Sequence, residues 1–220
     1  MDMWDQVVAL RTGFVAQAKE LTPAEWDEPT LCEGWRVRDV VAHLILPDRF
    51  SLLGGLGGLG GLVGLIRAGF RLDRVICQDA IMRGSVPVPE LLASYQSGIH
   101  RRSVPPGRQP ANVLADLVIH LQDIRRPLGL PWSYDMELLG MVTSTIFPDK
   151  GLRVPERVAG LSLRATDTGW AAGDGAEVSG PSEALILAMA GRPVTLPALA
   201  GTGTAVLAAR IGGHSPVLPG

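Results

Sequence analysis

Three residues carry the types and spacing that chemistry requires: His43, and the pair in Asp116-x-x-x-His120. Residues four apart on a helix share a face, with Cβ atoms about 5–6 Å apart. Asp116 and His120 can therefore grip one ion from one side, and His43 can close the site from a facing helix. Two imidazoles and a carboxylate, with a position left open, is the donor set of a catalytic rather than a structural zinc. The plainer alternative is an i,i+4 Asp–His hydrogen bond with no metal, and spacing alone leaves it open. Asp123 falls on the same helical stripe. It can accept the second N–H of a ligating histidine, or pair with Arg125 or Arg126. Of the other histidines, His100 sits in a basic helix end and His214 in the tail, and both read as solvated.

The frame around them is ordinary. The chain has 220 residues and a formal charge of −2, enough for a proper core and without the basic patch that nucleic acid would require. Cys32 and Cys77 make no disulfide framework, so reduced thiols in a cytoplasm are expected. The acidic start Met1-Asp2-Met3-Trp4-Asp5 does not read as a secretory signal. Phe50 to Ile66 carries no charge, but it is glycine-rich, reading Gly54-Gly55-Leu56-Gly57-Gly58-Leu59-Gly60-Gly61-Leu62. It falls short of the roughly 20 apolar residues a spanning helix needs, so it reads as a loop or weak helix, not a membrane span. No glycine-rich phosphate loop or dinucleotide fingerprint occurs.

Helical periodicity predicts a first helix from Met3 to about Glu20 and a capped turn at Thr22-Pro23-Ala24-Glu25. A helix from Trp35 to Leu46 carries His43. Further helices are expected at Leu72–Met82, Pro89–Arg101 and Ala111–Arg126, the last ending at Pro127 and Gly129. Ser133 can cap a helix from Tyr134 to Phe147. Beyond Gly151 the pattern changes. Leu161–Ala165 alternates as a strand, Trp170–Val178 reads as a hairpin, and Pro181–Ala190 reads as a short apolar helix. Thr204–Arg210 fits a strand or a helix. A helical part over 1–150 and a small α+β part over 151–220 are expected.

The stretch from Thr30 to His43, Thr-Leu-Cys-Glu-Gly-Trp-Arg-Val-Arg-Asp-Val-Val-Ala-His, resembles the N-terminal signature of the mycothiol-dependent maleylpyruvate isomerase family, within the larger DinB-like group. His120-Leu-Gln-Asp123-Ile-Arg125-Arg126-Pro127-Leu128-Gly129 resembles its second signature. Gly180-Pro181 through Gly191-Arg192 resembles the helix of its C-terminal domain, and Gly69–Arg74 is also family-like. The resemblance implies an α+β protein: a DinB-like four-helix bundle followed by a small α+β C-terminal domain. It implies a divalent metal, typically zinc, held by His43, Asp116 and His120, with mycothiol as thiol cosubstrate. It also implies a C-terminal arginine that holds an anionic substrate, for which Arg192 and Arg210 are the candidates. The family's isomerase has Glu where this chain has Asp116, one methylene shorter.

On that reading the protein is a metal-dependent isomerase or S-transferase acting on a small electrophile. A metal-dependent hydrolase or a non-catalytic metal- or ligand-binding protein would use the same three ligands. Cys32, Cys77 and Trp35 read as packing residues, and the glycine-leucine tract as a flexible connection rather than a cover over the metal.

Overall fold

The computed structural model describes residues 2–45, 72–105 and 107–212, with residues 72–75 described by their backbone. The glycine-leucine tract at 54–62, Gly69–Arg71 and His214 lie outside them. The chain is α+β and divides into two compact units, Met1–Leu130 and Pro131–Gly220. Among the described residues no helix is long and apolar enough to cross a membrane.

The first unit holds α1 (Met3–Ala18), α2 (Val37–Leu44), α3 (Leu72–Gly84), α4 (Val88–Ser97) and α5 (Pro110–Leu128). Helix α1 packs on α4 and α5, and α2 packs on the same two, which closes a four-helix bundle; α3 lies against α2. The apolar stripe of α1, Val7, Leu10, Phe14 and Ala18, is buried at helical spacing. Phe14 meets Tyr95 of α4 edge-on at 5.4 Å. The buried Arg11 guanidinium donates to the carbonyls of Gly98 (2.8 Å) and Arg101 (3.0 Å), where the chain leaves α4. The Thr22 turn forms as expected, its hydroxyl and amide both donating to Glu25 at 2.7 Å.

Helix α2 starts two residues later than its pattern suggested. Arg36 stands outside it, and its amide donates to the buried Asp39 carboxylate at 3.0 Å. Helix α5 runs past its expected end. Pro127 lies inside its last turn, and Gly129, at φ 64°, ends it. A proline has no N–H to give the carbonyl four residues back, here that of Asp123. The Leu31 amide donates to that carbonyl instead, at 3.1 Å. The proline is accommodated because another segment takes its place in the ladder.

The second unit holds α6 (Met136–Ile146), α7 (Val154–Val158), strands β1 (Leu161–Ala165), β2 (Ala171–Ala172) and β3 (Ala176–Gly180), α8 (Ser182–Met189) and α9 (Thr204–Gly212). Helix α6 is capped by Asp135, whose carboxylate accepts the Glu137 amide at 2.8 Å, and not by Ser133. It packs on α8, which is why it belongs with this unit. Leu185, Ile186, Leu187, Ala188 and Met189 of α8 are fully buried.

The expected hairpin over Trp170–Val178 does not form. The sheet order is β2-β1-β3, with β2 antiparallel and β3 parallel to β1. Gly173 (φ 83°) and Gly175 (φ 121°) take the chain from one side of β1 to the other. They pass so close that a Cβ on either would lie within 2.3 Å of a carbonyl oxygen, that of Leu161 or Gly160. Only glycine fits such a crossing. Thr204–Gly212, undecided by pattern, is a helix.

Candidate metal centre

The bundle brings His43 of α2 to Asp116 and His120 of α5. Asp116 Oδ2 stands 3.6 Å from His43 Nε2, and Oδ1 stands 3.5 Å from His120 Nε2. The two imidazole rings meet edge to face at 4.7 Å. One donor atom from each of the three residues lies within 4.8 Å of the others. Two ligands at ~2.0–2.1 Å from a tetrahedral ion stand roughly 3.3 Å apart. The Asp116 separations exceed a good hydrogen bond and are near that edge length. The donor set therefore fits a divalent ion of the zinc type. The Asp116 side chain is about a third exposed, which leaves the site approachable from solvent.

Outside this trio, His120 Nδ1 lies 2.9 Å from Asp123 Oδ2, and the Asp123 side chain is wholly buried. The imidazole is thus a partner of Asp123, and Arg125 and Arg126 both donate to Gln122 Oε1. With its proton on Nδ1, His120 presents a lone pair on Nε2 towards Asp116 and His43, the tautomer that a metal ligand needs. His43 differs: its Nδ1 is buried and has no hydrogen-bond partner among the described residues. Its ring is held instead by Trp35, whose indole lies 5.1 Å from the His43 ring and 6.0 Å from that of His120.

The charges follow from this packing. Burial pushes the Asp116 carboxyl up, but the neighbouring His120, then His43 and Arg108, outweigh it and hold its pKa at about 2. Burial works against the charged form of His120. The Asp116 carboxylate, Cys32 and the Asp123 hydrogen bond outweigh it and raise its pKa well above the usual imidazole range. The pocket is thus a strongly cation-favouring one, and proton and metal would compete for the same atoms.

Two residues read as packing belong to this neighbourhood. Cys32 is half-buried. Its Sγ lies 3.1 Å from Asp123 Oδ2 and 3.7 Å from His120 Nδ1. Cys77 is half-buried too, and its sulfur accepts the Trp35 indole N–H at 3.0 Å. Neither link has a local signal, since Cys32 stands far from His120 in sequence. His100 is exposed, as expected. Arg192 and Arg210 lie in the second unit. Arg192 donates to the Ala190 carbonyl at 2.6 Å, and Arg210 to the carbonyls of Arg157 (2.8 Å) and Ala159 (2.7 Å).

Residues 7–52 match the family model described as the mycothiol maleylpyruvate isomerase N-terminal domain, a span that includes the first motif and His43. Two solved structures are similar: the mycothiol-dependent maleylpyruvate isomerase (TM-score 0.59) and a histidine-to-alanine variant of it (TM-score 0.58). Each is 12% identical in sequence, and each match covers 92% of both chains. At that identity the likeness is one of fold. No curated protein matches the chain. By a family match in its N-terminal part and a fold shared over nearly its whole length, the chain is similar to the mycothiol-dependent maleylpyruvate isomerase family.

Proposed function

We propose that the protein is a divalent-metal-dependent enzyme that uses a thiol cosubstrate, mycothiol, to isomerise or thiolate a small electrophilic substrate. The observation that carries this reading is the convergence of His43 Nε2, Asp116 and His120 Nε2 at near-ligand separations, with Asp123 behind His120. The similarity of residues 7–52 to the mycothiol maleylpyruvate isomerase N-terminal domain supports the thiol. A divalent ion such as zinc lowers the pKa of a bound thiol and makes it a nucleophile near neutral pH.

The chain's own residues have separate tasks. His43, Asp116 and His120 would hold the ion, and the partial exposure of Asp116 leaves the site within reach of a thiol. Asp123 keeps His120 in the tautomer that binds. Trp35 covers one side of both imidazoles and excludes water there. An arginine of the second unit, Arg192 or Arg210, anchors an anionic substrate; replacing each by glutamine should raise KM for the substrate at one of them. Reduced Cys32 and Cys77 fit a cytoplasmic setting.

The test has two steps. Metal content of the purified protein is compared with that of a His120→Ala variant; near-equal stoichiometry for the two would remove the site. The metallated protein is then incubated with mycothiol and electrophiles, maleylpyruvate among them. Thiol-dependent turnover is expected, and turnover that is indifferent to the thiol would make the protein a hydrolase instead.

A further inference from the structure

The metal-centre reading gives no task to Cys32, whose thiol shares Asp123 Oδ2 with the His120 imidazole. Cys32 sits in a tight turn closed by its own backbone. The Trp35 amide donates to the Cys32 carbonyl at 3.0 Å, the Thr30 amide to the Trp35 carbonyl at 2.9 Å, and the Cys32 amide to the Thr30 hydroxyl at 3.2 Å. The turn is fastened to α5 by the Leu31 amide on the carbonyl of Asp123, the acceptor that Pro127 leaves open. Backbone and side chain of Asp123 therefore face consecutive residues of one turn: the carbonyl takes Leu31, and Oδ2 takes the thiol of Cys32.

We propose that Cys32 is a positioning residue of the metal centre, its thiol hydrogen-bonded to Asp123 so that this carboxylate holds the His120 ring in the orientation that binds the ion. The proposal rests on the reading that His43, Asp116 and His120 hold a divalent metal. The Asp123 side chain has no exposure to solvent, so packing and hydrogen bonds rather than bulk water set its rotamer. Oδ2 lies 2.9 Å from the imidazole Nδ1 and 3.1 Å from Sγ. These are hydrogen-bond lengths, and they place the sulfur on the side of His120 away from Nε2. Without the thiol, Oδ2 would lose one of the two donors seen on it, and the ring that depends on that oxygen would lose definition.

Cys32, His120 and Asp123 also form a compact donor group of their own, in which Cys32 would be a ligand. The experiment separates the two roles. Zinc affinity is measured by competition with a chromophoric chelator for wild type, Cys32→Ser, Cys32→Val, Asp123→Asn and the Val/Asn double variant. Cobalt(II) spectra are recorded for each, and circular dichroism checks the fold. The expected result is a loss of about tenfold in Cys32→Val and near-wild-type affinity in Cys32→Ser, whose hydroxyl still donates. No further loss is expected when Cys32→Val is added to Asp123→Asn, because the thiol acts through that carboxylate. Wild-type affinity in Cys32→Val, or losses that add, would overturn the proposal while leaving the metal site standing. So would a thiolate-to-cobalt charge-transfer band in the wild type. A wild type that binds neither metal overturns both readings.

Discussion

Gly84 of α3 lies against Asp39 of α2 so closely that a Cβ on it would fall 2.1 Å from Asp39 Oδ1 and 2.9 Å from Asp39 Cα. Asp39 cannot give way, because it is buried and holds Arg36 through both oxygens at 3.0 Å. Gly84→Ala must therefore push α3 off α2. Overpacking of this kind costs on the order of 1–3 kcal/mol, more than the helix propensity an alanine gains. A lower urea midpoint is expected, together with weaker zinc binding, because α3 lies against α2, the helix that carries His43. An alanine variant as stable as wild type would mean that the two helices are not in the contact described.

Asp116 is the residue whose length sets the site. Its two oxygens face the two imidazoles separately, at 3.5 and 3.6 Å. Asp116→Asn removes the charge that opposes both rings and should weaken zinc by more than the ~10–100-fold that loss of an outer partner costs. Asp116→Glu keeps the charge but adds a methylene that the gap does not need. It should bind zinc at the same stoichiometry and less tightly than wild type, by less than Asp116→Asn does. Isothermal titration of the three proteins ranks them, and an Asp116→Asn variant that binds as tightly as wild type would exclude the carboxylate as a ligand.

The convergence of His43, Asp116 and His120 was legible in the sequence because two of them lie one helical turn apart and the third lies in a family-like helix entry. Asp123 was legible for the same reason, as the next position on the stripe. Cys32 and Trp35 were not. Their partners are reached only when the turn at 30–35 folds onto α5, a contact made by Leu31 on a carbonyl that Pro127 leaves open. In the second unit, alternation identified β1, but pairing order depends on where the chain goes next. Gly173 and Gly175 carry it across β1 rather than back along β2. The grouping of α6 was not legible, because its pattern is that of any helix of the bundle and only its packing on α8 groups it with the second unit.

Trp35 offers a direct optical test of the site. Its indole faces both imidazoles and is nearly excluded from solvent, at 9% exposure. Binding of an ion changes the charge on both rings and hence the quenching of this indole. The chain has five tryptophans, so the signal must be isolated by difference. Zinc should alter the emission of wild type and leave that of Trp35→Phe almost unchanged, while Trp35→Phe still binds zinc by competition assay. An equal response in both proteins would place the ion away from His43 and His120.

Asp167 gives the second unit a pH-dependent contribution to stability. Its carboxylate accepts the Ser182 amide at the start of α8, at 2.9 and 3.1 Å, and the Ser182 hydroxyl at 2.6 Å. Partial burial raises its pKa, but the hydrogen bonds from Ser182 and the nearby backbone amides outweigh this and lower it below the ordinary carboxylate value. A folded-state pKa below the unfolded one, about 3.9, means that the contribution is complete above that value. It is lost as pH falls through the folded pKa. Asp167→Asn should therefore unfold more easily than wild type at neutral pH, by about 1 kcal/mol. The gap should narrow as the wild-type carboxylate takes up its proton. Urea unfolding of the two proteins from about pH 7 to about pH 3 measures it. A gap that stays constant across that range would show that the amide and hydroxyl contacts do not depend on the charge of Asp167.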